Sequence, residues 1–147
     1  CSTASRFVSH GALYDARLLM EMFDRLGGDQ PLLTEDTTKP RVFVVCKKFG
    51  SSGSFLFRNY EYNNNQHSQY SGSSDAQIKE AARATSAAPI YFGEQCINGA
   101  RFIDGGIEAN NPSMLGYDEA RVLWPGFPVD LLISVGTGLA PNENSLP

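Results

Sequence analysis

The sequence predicts an α/β protein in which a layered sheet carries helices on both faces. Three observations predict it: a helix-period stretch closed by Gly27-Gly28, short β-rich runs around Val42–Val45, Phe55–Phe57 and Arg101–Ile103, and helix patterns interleaved with those runs. The chain has 147 residues, 41% hydrophobic and 19% charged, which suits one soluble domain and excludes collagen-like, disordered and repeat-array classes.

Each element has its own signal. Between Ser9 and Leu26 the residues Tyr14, Leu18, Leu19, Met22, Phe23 and Leu26 recur at helical spacing, with Ser9 as the expected cap and Gly27-Gly28 as the stop. Val42-Phe43-Val44-Val45 and Phe55-Leu56-Phe57, separated by the turn-forming Gly50-Ser51-Ser52-Gly53, read as neighbouring strands. The polar stretch from Tyr60 to Ser74 reads as an exposed loop. Ser74 with Gln77 three residues on is a capping-box pattern, opening a helix through Ile78, Ala81 and Ala82 that Pro89 is expected to stop. Arg101-Phe102-Ile103 is a strand ending at Asp104-Gly105-Gly106, and Asn111-Pro112 starts a helix reaching about Leu123. The apolar run Val129 to Val135, closed by Gly136-Thr137-Gly138, has the composition of a strand buried on both faces.

Composition narrows the function classes. No window approaches the roughly 18 consecutive apolar residues of a membrane-spanning helix. Twelve Lys plus Arg against sixteen Asp plus Glu give a net charge of −4, so no nucleic-acid partner is expected. Cys1, Cys46 and Cys96 form no CxxC pair and leave one thiol over, which suggests a reducing, intracellular setting rather than a disulfide framework or zinc ribbon. The opening Cys1-Ser2-Thr3-Ala4, with neither Met nor a signal-peptide pattern, reads as an internal piece of a longer chain. His10 and His67 lack acidic or thiol companions at ligand spacing, so no metal site is expected.

Chemistry concentrates at Asp104. Reacting groups in open α/β sheets gather beyond the carboxyl ends of strands, and Asp104 stands at such an end. Gly105 and Gly106 let the chain turn sharply and leave the carboxylate at the sheet edge. An Asp-Gly pair is also an ordinary turn, so the surrounding motifs decide.

Those motifs are AARATSAAPIYF from Ala81, FIDGGIEANNPS from Phe102 and LLISVGTG from Leu131. In this order and spacing they resemble the patatin-like phospholipases. FRNY at Phe57–Tyr60, His67-Ser68-Gln69-Tyr70 and Leu123-Trp124-Pro125 are similar to the intracellular, calcium-independent gamma-type phospholipase A2 branch. The likeness runs from about Tyr14 to Gly138. It implies a patatin-like fold and a lipid acyl hydrolase, phospholipase A or lysophospholipase in type, with a Ser/Asp dyad. It also implies no calcium or other cofactor, and a phospholipid or other acyl-lipid substrate met at a membrane surface. Asp104 matches the aspartate of the family's DGG motif, with Gly105 and Gly106 as its supporting glycines.

The departure from the family is equally informative. No serine here has glycine both two before and two after it, so the GxSxG nucleophile is absent from the 147 residues. Ser51 and Ser52 have the wrong spacing and precede a strand, whereas a nucleophile elbow leads from a strand into a helix. No glycine-rich oxyanion loop precedes Tyr14. The expectation is therefore that residues 1–147 form the carboxyl-side part of a patatin-like domain, inactive alone, in a cytoplasmic or peripherally membrane-associated protein. The alternative is a catalytically inactive lipid-binding or scaffold protein of the same fold. A nucleotide-binding domain is disfavoured because Gly136-Thr137-Gly138 lacks both the GxGxxG continuation and a P-loop lysine. Arg58 suits either a headgroup phosphate or a carboxylate partner within the protein.

Overall fold

The computed structural model describes residues 12–63 and 65–138, which fall into two compact units, residues 1–110 and 111–147. In the first, helix α1 (Ala16–Leu26) precedes strands β1 (Phe43–Lys48), β2 (Phe55–Arg58) and β3 (Ser71–Ser73). Helix α2 (Ile78–Thr85), strands β4 (Gln95–Ile97) and β5 (Ala100–Asp104), and the single-turn helix α3 (Gly106–Ala109) follow. The second unit holds helix α4 (Ser113–Leu123). Among the described residues no helix is long and apolar enough to cross a membrane.

The five strands make one sheet in the order β3-β2-β1-β5-β4. The β1–β2, β1–β5 and β5–β4 pairs are antiparallel, and β3 runs parallel to β2. Successive residues of β1 point to opposite faces. Val44 and Cys46 join Phe55, Phe57 and Phe102 on the face where Ala81 and Ala84 of α2 pack. Lys47, on the other face, meets Glu108 of α3, so helices lie on both sides of the sheet as expected. The rings of Phe55, Phe57 and Phe102 sit 5.0–5.1 Å apart in edge-to-face and tilted pairs, worth about 0.5–1.5 kcal/mol each beyond burial. The alanines of α2 give this cluster a close-fitting lid. Helix α1 lies against α2, where Lys79 is paired with Asp24 and Asp29.

Several expectations need correction. Helix α1 begins at Ala16, not near Ser9, because Asp15 caps it by accepting the Arg17 amide at 3.0 Å; Ser9 and His10 lie outside the described residues. Its end is as expected, with the Gly27 amide donating to Phe23 O. Helix α2 is capped one turn later than Ser74: the Gln77 amide donates to the Glu80 carboxylate at 2.9 Å, while the Ser74 hydroxyl is turned to Glu61. It closes at Thr85, before Pro89, where the Ser86 hydroxyl donates to Ala82 O.

The stretch from Tyr60 to Ser74 is not simply an exposed loop. Tyr60 is buried and Ser71–Ser73 extend the sheet. The cause is Arg58, itself buried, whose guanidinium donates to Ser68 Oγ and Tyr70 O and lies over the Tyr62 ring. A buried cation requires acceptors, and this polar stretch supplies them. Gly72 is part of that arrangement, since a Cβ there would come within 1.8 Å of Arg58 Nη1. Arg58 thus acts as an internal tether and not as a surface phosphate ligand. Strand β4 was not expected, although its signal is present: Asn98 and Gly99, both at positive φ, make the two-residue turn into β5.

The largest departure is the run Val129 to Val135. It is not a strand and is not buried; Leu131, Ile133 and Val135 are 74%, 70% and 89% exposed. Strand composition makes no strand without a partner whose backbone completes the ladder, and residues 129–135 form none. Helix α4 does occupy the expected span, and Asn111 Oδ1 accepts the Ser113 amide at 3.1 Å.

Candidate active site

Asp104 is the last residue of β5, half-buried, with Cys46 of β1 as its partner across the ladder. Its amide donates to Ala87 O at 3.0 Å, and its Oδ1 accepts the Gly106 amide at 2.7 Å. The second bond comes from the first residue of α3 and turns the carboxylate back over its own loop. Cys46 is fully buried; burial, followed by the Asp104 charge, pushes its thiol up to about 12, so it is a neutral packing group here.

Gly105 sets how closely the turn approaches the sheet. A Cβ at this position would lie 2.2 Å from Val45 O and 2.8 Å from Val45 Cβ, so no larger residue fits without moving β1. Val45 O also accepts the Thr85 hydroxyl at 2.7 Å. Hence the end of α2, the middle of β1 and the Asp104 turn meet at one peptide group. Two of the sequence motifs converge there: ATSAAP supplies Thr85 and Ala87, and DGG supplies Asp104, Gly105 and Gly106. Gly106 leaves space above the carboxylate, since its Cβ would stand 3.1 Å from Asp104 Oδ1.

The other sequence candidates lie elsewhere. Ser51 sits in the β1–β2 turn with its hydroxyl donating to Lys48 O, and His67 is exposed. Among the described residues no serine hydroxyl is hydrogen-bonded to Asp104, and no group of three His, Cys, Asp or Glu is assembled to hold a metal. Sequence reasoning missed Thr85, and also the ion pair of Lys47 with Glu108 beneath the turn. Both depend on strand register and helix placement, which have no local sequence signal.

The sequence profile of the patatin-like phospholipases matches residues 2–115, and the chain belongs to that family. Among its relatives, calcium-independent phospholipase A2-gamma of Rattus norvegicus is 40% identical and that of Homo sapiens 35%, each over 86% of this chain and 17% of the relative. Phospholipase A I of Arabidopsis thaliana is 33% identical over 97% of this chain and 14% of its own length. The chain therefore spans about a sixth of the length of these relatives.

Proposed function

We propose that this chain is the aspartate-bearing part of a lipid acyl hydrolase, of phospholipase A or lysophospholipase type, in which Asp104 is the general base of a Ser/Asp dyad. The nucleophilic serine and the oxyanion-binding amides come from outside these 147 residues. The observation that carries the reading is the state of Asp104. It stands at the carboxyl end of a strand, half-buried, fixed through its own amide and through Gly106, and among the described residues no donor occupies its second carboxylate oxygen, where a hydroxyl would enter. The names of the three relatives given above, each a phospholipase, support the substrate class.

In the dyad the Asp104 carboxylate accepts the serine proton as the serine oxygen bonds to the ester carbonyl carbon. The proton passes to the departing alcohol oxygen as the ester C–O bond breaks, leaving an acyl-serine. Water then repeats the sequence: Asp104 takes its proton, the acid is released, and the proton returns to the serine. A carboxylate is a weak base, so close contact with the hydroxyl is the main requirement. The Gly106 N–H meets it in part by fixing the carboxylate plane. No step needs a metal. The substrate is a phospholipid or other acyl lipid, met at a membrane surface by an intracellular protein that is cytoplasmic or peripherally membrane-associated.

The test is Asp104→Asn in the whole protein, assayed on phospholipid vesicles. The change removes the base at constant size, and turnover should fall by about 10²–10⁴. Activity within about twofold of the unsubstituted protein would refute the assignment.

A further inference from the structure

Helix α3 is a single turn of four residues, and none of them is buried. Ile107, its one large apolar side chain, is 56% exposed. So short a helix has no stability of its own in water, and here no apolar anchor supplies it. Yet Gly106, its first residue, donates the hydrogen bond that orients Asp104.

Beyond the seating of Gly105 on Val45, what ties α3 to the sheet is charge. Lys47 follows Cys46 on β1, and its ladder partner is Ile103, the neighbour of Asp104. Its ammonium is paired with Glu108 on α3, with side chains only 23% and 28% exposed. Of the ion pairs among the described residues, this alone joins α3 to β1. A half-buried pair is screened less than a fully exposed one. We propose that Lys47 and Glu108 are positioning residues for Asp104: their ion pair holds α3 on β1 and thereby keeps the Gly106 N–H on the carboxylate. The inference rests on the reading of Asp104 as the base.

The pair acts through orientation, so its loss lowers kcat and leaves substrate binding in place. The experiment compares Lys47→Met, Glu108→Gln, Lys47→Arg and the charge-swapped K47E/E108K in the whole protein on phospholipid vesicles, with Asp104→Asn in parallel. Lys47→Met and Glu108→Gln are expected to lose about tenfold in kcat with KM within about twofold. Lys47→Arg retains activity, and the swapped double recovers to within about threefold of the unsubstituted protein, as a specific pair requires. Glu108→Gln keeps size and polarity on an exposed turn, so it carries the comparison if Lys47→Met folds poorly. Singles with unchanged kcat, or a swap no better than the singles, overturn the proposal. If Asp104→Asn stays active, the dyad reading itself has failed; if only the swap fails while Asp104→Asn is dead, the positioning role alone is lost.

Discussion

At Gly105 and Cys46 single atoms decide what the site tolerates. Gly105→Ala places a methyl 2.2 Å from Val45 O, a distance no rotamer relieves, because the obstacle is backbone. Overpacking of this kind costs about 1–3 kcal/mol or more, and urea unfolding of the alanine variant should register it. Cys46 gives a pH dependence. Its thiol is held up to about 12 in the folded protein and ionises near its ordinary value of 9.0 when unfolded. The contribution is therefore fully present below pH 9 and is lost as pH rises from about 9 to 12, at up to about 1.4 kcal/mol per pH unit. Unfolding free energies taken at intervals between pH 8 and 11 should decline above 9, and Cys46→Ala should flatten that decline. Cys96, exposed, should react with a thiol reagent in the native protein while Cys46 stays silent until unfolding.

Helix α2 shows at the scale of an element why caps matter. The carboxylate of Glu80 accepts the Gln77 amide, and the helix it begins carries Thr85 to Val45 and covers the aromatic cluster. Glu80→Ala should cost about 0.5–2 kcal/mol, measurable as a lower unfolding midpoint. The same helix marks where sequence is a good guide and where it is not. Helical spacing, β-rich runs and the DGG turn lie within a few residues, so α1, β1, β2, β5 and the position of Asp104 could be read directly. Ser74 and Gln77 match the usual capping pattern and Gln77 with Glu80 does not, yet the helix is capped at Gln77 while the Ser74 hydroxyl donates to Glu61. Arg58 drew a polar stretch into the sheet through contacts 10 and 12 residues away, which no local pattern records. Val129–Val135 shows the opposite error, since apolar content states a preference that only a neighbouring strand can satisfy.

For the whole molecule the exposed run Leu131–Val135 is the feature to explain. Large apolar side chains exposed at neighbouring positions favour association. The isolated 147 residues are expected to bind a hydrophobic dye, to self-associate at micromolar concentration, and to show no hydrolysis sensitive to serine reagents. Robust serine-dependent turnover by the pure isolated chain would contradict the division of the dyad proposed above.

The strand order β3-β2-β1-β5-β4 also sets a timetable. Cys46 and Phe55 meet across a short turn, as do Ile97 and Ala100, so the two hairpins close quickly from local contacts. The β1–β5 seam unites residues about sixty positions apart, and its loop-closure entropy must be met before any contact across it is gained. That seam is where Asp104 comes to lie beside Cys46. Substitutions at Asn98 or Gly99, in a hairpin already closed when the seam forms, should slow folding and leave the unfolding rate nearly unchanged. The carboxylate thus arrives late, placed by the slowest pairing in the sheet.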